Sequence, residues 1–250
     1  MVQKSFGMKS HGNSIQSGPL WRFARGVRSL VDRRYRRAAR SLRDLPQIEY
    51  RTVIDAGAHG GLFTDALLKL HKPSRVVLVE PIPELAEKLR YRFEGHSEFS
   101  VVEAALSDAD GEAQFEINRS DASSSLLKID NRNSEWFGWD LSVARTVAVR
   151  TLTLPQLMSE QRLDRIDLLK LDLQGGERSV LTAGESVLDR IRVIYTEAFF
   201  EPLYTGAWLF WELNDFLTAR GFKLCGISSI VHARDGTLLQ ANAIFGRTGE

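Results

Sequence analysis

A doubly wound α/β sheet is the fold class that three features of this 250-residue chain predict. From Arg51 onward, short apolar runs alternate with helix-length amphipathic segments, the order that builds a parallel sheet covered on both faces. The first run ends in Asp55 and a glycine-rich turn, Gly57-Ala58-His59-Gly60-Gly61, and the next ends in Glu80, 25 residues beyond Asp55. The last two runs are separated by a turn at Asp235-Gly236 that is too tight for a crossover, so they pair antiparallel.

In order, a strand over 51–56 leads through the glycine turn to a helix over 61–71, and a strand over 75–80 leads to a helix over 83–94. Phe99-Ser100-Val101-Val102 opens a third strand and completes a right-handed βαβαβ half. Asp108-Ala109-Asp110-Gly111 is a turn, and Glu112 to Ile117 alternates as a half-exposed strand does, which predicts a short hairpin before the sheet resumes. Residues 118–145 are polar and aperiodic, the mark of a lid or a disordered loop. Val147 to Leu152 is again a strand, and Thr153 with Pro155 opens a short helix. Ile166 to Asp172 reads as a central buried strand, followed by Leu173-Gln174-Gly175-Gly176 and a helix over 177–188. A strand over 191–197 ends in Glu197, and a helix over 208–220 precedes strands over 222–228 and 238–246.

At 43% hydrophobic residues the chain can bury one sizeable core, and no apolar run reaches the roughly 18 residues of a membrane span. One domain over 47–250 is expected, preceded by a disordered tail over 1–18 and a basic amphipathic helical extension over 19–46. The only cysteine, Cys225, cannot form an intramolecular disulfide, so a reducing, cytoplasmic location is expected.

The net charge of +1 conceals an asymmetry, because residues 1–50 carry a net of +8 and leave −7 for the remainder. Nine arginines fall in PLWRFARGVRSLVDRRYRRAARSLR, between apolar residues at helical spacing. Three uses remain open for residues 19–43: peripheral contact with an anionic membrane, binding of a polyanion, or packing against the domain with solvated arginines. The acidic remainder of the chain argues against a nucleic-acid partner.

Ligands of such sheets bind beyond the carboxyl ends of the strands, and Asp55, Glu80, Asp172 and Glu197 all sit at predicted ends. Acids at these places also cap helices, but four along one rim point to a ligand. The turn has Gly57-x-x-Gly60-Gly61 rather than the three-glycine spacing of a pyrophosphate site, with Asp55 two residues before it. A carboxylate there attracts a cation and repels a pyrophosphate, which favours S-adenosylmethionine, bearing an ammonium and a sulfonium, over NAD.

These residues resemble the FkbM-type family of S-adenosylmethionine-dependent methyltransferases. The resemblance rests on Ile54 to Gly61, Val79-Glu80-Pro81-Ile82-Pro83, Ala105-Leu106-Ser107-Asp108, Ser124-Ser125-Leu126, Leu168 to Glu177, and Glu197 with Pro202-Leu203-Tyr204, in the family's order. It implies the class I methyltransferase fold, a Rossmann-like sheet of seven main strands with the last antiparallel, and O-methylation of a sugar, glycolipid or secondary-metabolite hydroxyl. This chain departs from the family at His59, where Asn is common, at Gln174, where Glu is frequent, and at Gly176, where Ala is usual.

On this reading Asp55 and the amides of Gly57, Ala58, His59 and Gly61 hold the methionine part of the cofactor, and Glu80 takes the ribose hydroxyls. Asp108, or else Glu103, accepts from the adenine amino group. Asp172 is the first candidate for the base that takes the acceptor's proton and Glu197 the second, while Lys170, two residues before Asp172 on the same strand face, either pairs with that carboxylate or contacts the acceptor. Gln174, Tyr204 and the insert's Trp136 and Trp139 are candidate acceptor contacts. No Cys/His cluster suggests zinc, and a magnesium site near Asp172 stays open. A NAD-dependent oxidoreductase and a non-catalytic adaptor binding an adenosine cofactor at a membrane or polyanion surface are the rivals.

Overall fold

The computed structural model describes residues 39–119, 125–127 and 142–248. In chain order the elements are β1 (Thr52–Ala56), α1 (Leu62–Leu70), β2 (Arg75–Val79), α2 (Pro83–Arg92), β3 (Phe99–Val102), β4 (Ala105–Leu106), β5 (Gly111–Asn118) and β6 (Val143–Leu152). There follow α3 (Leu154–Glu160), β7 (Ile166–Leu171), α4 (Glu177–Ala183), β8 (Ile191–Phe199), α5 (Phe210–Thr218), β9 (Phe222–His232) and β10 (Leu238–Arg247). Seven strands form the main sheet in the order β3-β2-β1-β7-β8-β10-β9. Its neighbours from β3 to β8 are parallel, and β10 runs antiparallel to both β8 and β9. Strand order switches between β1 and β7, and that switch opens a crevice beyond their carboxyl ends.

Alternation along the strands divides the core between two faces. Ile54, Ala56, Leu169, Leu171, Ile194 and Phe245 pack against α3, α4 and α5 through Leu157, Val180 and Leu217. Val53, Leu168, Val193 and Ile244 pack on the other face with Phe63 and Leu67 of α1 and Leu89 of α2. Because side chains one residue apart leave opposite faces, Asp55, Lys170 and Tyr195 belong to this second face, where the register sets Asp55 beside Lys170 and Lys170 beside Tyr195.

The expected hairpin exists, but it does not rejoin the main sheet: β5 and β6 pair antiparallel and, with β4, make a separate three-stranded sheet. Only one face of that hairpin is apolar, and its Phe115, Ile117 and Val149 pack on Ile82 rather than in the central core. Its strands also run to Asn118 and from Val143, into both ends of the segment expected to be irregular. The helix expected over 177–188 breaks after Ala183, and a 3-10 turn follows over Glu185–Arg190. Gly184 marks the break, in a space where a Cβ would stand 3.2 Å from Leu154 of α3.

Residues 39–44 are helical, and Leu42 and Leu45 are buried in the core with Tyr50 and Phe63. The domain therefore begins before residue 47. The tail over 1–18, the arginine-rich stretch as far as residue 38 and most of the insert, including Trp136 and Trp139, lie outside the described residues. Among the described residues no helix is long and apolar enough to cross a membrane.

Candidate active site

A cavity of about 330 Å³ opens beyond the carboxyl ends of β1, β2, β7 and β8. Glu80, Lys170, Asp172, Gln174 and Glu197 line it, so three of the four acids of the predicted rim meet at one space. Opposite them, Ile82, Leu106 and Phe115 supply an apolar wall.

Glu80 leaves the end of β2 almost fully buried. The His59 N–H donates to Oε2 at 2.7 Å and the Ile82 N–H donates to Oε1 at 2.9 Å, which fixes the carboxylate in the cavity lining. His59 reaches that position through a left-handed backbone, φ 47°. Burial raises the Glu80 carboxyl above its ordinary pKa, opposed by these two amides.

Asp55 is a correction. It is fully buried and does not line the cavity. Its Oδ2 accepts from Thr64 Oγ1 at 2.6 Å, and its Oδ1 lies 3.0 Å from the Lys170 ammonium. A residue at the last-but-one place of a central strand, beside a lysine in register, has its charge answered inside the sheet rather than by a ligand. The glycine turn is corrected likewise. Gly57 and Ala58 donate their amides to Val79 O, His59 to Glu80 and Gly61 to Ala58 O, so these hydrogens are used within the fold. Gly57, Ala58 and His59 still line the cavity, whereas Gly61 precedes α1 with φ 76°.

Lys170 is buried between carboxylates. Besides Asp55 it lies 3.7 Å from Asp172 Oδ2, and it donates to the carbonyls of Ala56 and Gly57 at 3.1 and 2.7 Å. Burial acts to lower its pKa, and the charges of Asp55 and Asp172 outweigh burial and raise it. It is thus a fixed cation joining β1 to β7.

Asp172 remains partly open to the cavity, its side chain 40% exposed. Gln174 Nε2 donates to Asp172 Oδ1 at 2.7 Å and to Glu197 Oε2 at 2.9 Å, and Gln240 Nε2 donates to Glu197 Oε1 at 3.0 Å. Burial raises the Glu197 carboxyl well above the ordinary range, as do the neighbouring Asp172 and Glu177 carboxylates. Behind them Glu177 accepts from the Leu173 N–H at 2.7 Å, and burial pushes its carboxyl up to about 7. Tyr204 donates its hydroxyl to Gln174 Oε1. Tyr204 does not line the cavity, and Gln174 lines it with its amide bonded to Tyr204, Asp172 and Glu197.

The two candidates for the adenine amino group do not reach the cavity. Glu103 makes an ion pair with Arg90 at 2.8 Å, and Asp108 is exposed and accepts from Ser107 at 3.1 Å. Neither lines the space that Leu106 and Phe115 enclose.

Sequence reasoning gave no site role to Tyr195, Gln240, Asn242 or Ser125, the last of which entered only through the resemblance. The first three line the cavity, and Asn242 Nδ2 donates to Tyr195 Oη at 2.5 Å. Polar residues two apart in an otherwise apolar run, as at Gln240 and Asn242, were a legible sign of a shared face. Ser125 is buried, pairs with Glu116 of β5, and donates to Gln174 O at 2.9 Å, tying the insert to the turn after β7.

A model of the FkbM methyltransferase domain matches residues 55–224, a span that takes in the carboxyl ends of all four strands forming this rim. The chain belongs to the FkbM methyltransferase family. This FkbM chain is 29% identical over 163 residues to the 2-O-methyltransferase NoeI of Sinorhizobium fredii, an alignment covering 62% of the chain and 65% of NoeI. It is 28% identical over 203 residues to the AMB antimetabolite synthetase AmbE of Pseudomonas aeruginosa, covering 69% of the chain and 9% of AmbE. It therefore spans less than two thirds of either relative. The solved FkbM methyltransferase of Methylobacillus flagellatus is similar in fold, with a TM-score of 0.50 at 13% identity over 80% of this chain and 45% of that one. Gln240 and Asn242 lie outside the matched FkbM region.

Proposed function

We propose that this FkbM chain is an S-adenosylmethionine-dependent O-methyltransferase acting on a hydroxyl of a sugar, glycolipid or secondary metabolite. The observation that carries the proposal is the Glu80 carboxylate, held by two backbone amides at the mouth of β2 in the same cavity as Asp172 and Glu197. Each Glu80 oxygen keeps a second lone pair, which suits two ribose hydroxyls, and the wall of Ile82, Leu106 and Phe115 suits a purine. The acidic surroundings favour a cationic donor, and the relative named as a 2-O-methyltransferase supports an oxygen acceptor.

When bound, S-adenosylmethionine supplies an electrophilic methyl group. The chain's own part is to align the acceptor oxygen and to remove its proton. Asp172 suits the proton-accepting role, because it is the open member of the acidic group while Glu197 is held by two glutamine amides. Lys170 keeps the Asp172 strand end in place through the Gly57 carbonyl and does not itself accept the proton.

Calorimetry with S-adenosylmethionine and with NAD, on the wild type and on Glu80→Ala, tests the reading. Binding of the sulfonium cofactor alone, weakened by the substitution, is expected; tight NAD binding would reverse the assignment. Residues 19–43 support a second proposal, peripheral contact with anionic membrane, because their arginines are interleaved with apolar residues at helical spacing. Sedimentation with phosphatidylserine vesicles, with and without residues 1–38, checks it.

A further inference from the structure

Gln174 lines the cavity, and Tyr204 stands buried behind it and bonds its amide. The Tyr204 hydroxyl donates to Gln174 Oε1, which leaves Gln174 Nε2 facing two carboxyls, at 2.7 Å from Asp172 Oδ1 and 2.9 Å from Glu197 Oε2. A reversed amide would set its oxygen against both carboxyls. We propose that Gln174 and Tyr204 are positioning residues: Tyr204 fixes the orientation of the Gln174 amide, and that amide holds Asp172 and Glu197 together as one proton-sharing dyad. The proposal rests on the methyltransferase reading for its purpose, though not for its geometry.

Several independent features hold the arrangement. Gln174 has φ 54°, and Ser125 Oγ donates to its carbonyl at 2.9 Å. Gly175, φ 96°, lets the Tyr204 ring lie against the turn, since a Cβ there would stand 2.7 Å from Tyr204 Cβ. Tyr204 is itself buried with Phe199 and Leu203. Burial, then the carboxylates of Glu197, Glu177 and Asp172, raise its phenol well above the ordinary range, so it stays a donor.

The groups that bear on Glu197 are the Asp172 and Glu177 carboxylates, the Lys170 ammonium, the Tyr204 phenol and the amides of Gln174 and Gln240. Two carboxyls bridged by one amide nitrogen, at 2.7 and 2.9 Å, favour holding one proton between them. With the shared proton on Glu197, Asp172 offers the oxygen that takes the proton leaving an acceptor hydroxyl, after which the pair holds two protons.

The test is a carbon-13 carboxyl NMR titration of the full chain, with the two resonances assigned through Asp172→Asn and Glu197→Gln. In the wild type both resonances should move through the same macroscopic steps. Gln174→Asn tolerates the left-handed backbone but shortens the amide, and Tyr204→Phe removes only the hydroxyl. Each should raise the shared step by about one pH unit, because charged-form hydrogen bonds are lost. Independent titration of the two carboxyls in the wild type, or a step unmoved in folded Gln174→Asn or Tyr204→Phe, overturns the proposal. Calorimetric binding of S-adenosylmethionine reports separately on the methyltransferase reading, so a coupled dyad in a chain that fails to bind the donor would leave the positioning roles standing and remove the function.

Discussion

The Lys170 ammonium on β7 lies 3.0 Å from the Asp55 carboxylate on the adjoining strand β1, and both side chains are essentially excluded from solvent. The pair joins the two strands that flank the switch in strand order, and Lys170 also grips the Gly57 carbonyl. An acid that the sequence offers to a ligand is thereby committed to the scaffold.

Removing one member leaves a buried charge without its partner. Lys170→Met or Asp55→Asn alone should cost roughly 3–5 kcal/mol in urea denaturation. The double variant should recover much of that loss. Additive single costs would mean that the two groups do not interact.

Gly57 and Gly60 separate backbone need from ligand space. A Cβ at Gly57, φ 71°, would stand 2.0 Å from the Asp172 carbonyl oxygen, so Gly57→Ala should lose roughly 3 kcal/mol or more. Gly60 has no atom within 4 Å of its would-be Cβ and faces the cavity. Gly60→Ala should leave thermal stability within about 0.5 kcal/mol of wild type and weaken S-adenosylmethionine binding, which calorimetry reads.

Glu177 gives stability a defined pH dependence. Its carboxyl is pushed up to about 7 by burial, so between the ordinary value of 4.5 and about 7 the folded chain holds a proton that the unfolded chain has released. The contribution is complete below that window and is lost as pH rises through it, amounting to roughly 3 kcal/mol. Glu177→Gln should flatten the fall between about pH 4.5 and 7 in denaturant titrations. An unchanged slope would remove Glu177 as its source.

The amino-terminal boundary can be tested by truncation. Leu42 and Leu45 are buried, and Ser41 Oγ bonds Tyr195 Oη at 2.7 Å on the cavity-lining face of β8. A chain beginning at residue 47 should unfold at a markedly lower temperature, and Leu42→Ala should cost roughly 2–5 kcal/mol.

Strand periodicity, the acid-and-glycine turn and the tight final turn were enough to determine the doubly wound sheet, its antiparallel β10 and the acids at its rim, because these depend on local chemistry repeated along the chain. Glu80, Asp172 and Glu197 could be read as neighbours, since Glu80 and Asp172 directly follow parallel strands and Glu197 lies two residues before the end of β8. Tertiary structure decided what each acid does. Asp55 and Asp172 both end strand runs, yet register places Asp55 against Lys170 and leaves Asp172 open to the cavity. It decided as well that the 111–152 hairpin leaves the main sheet and that the Gln174 amide bonds Tyr204. Partners more than ten residues apart in sequence are chosen by packing and register, and no local pattern encodes that choice.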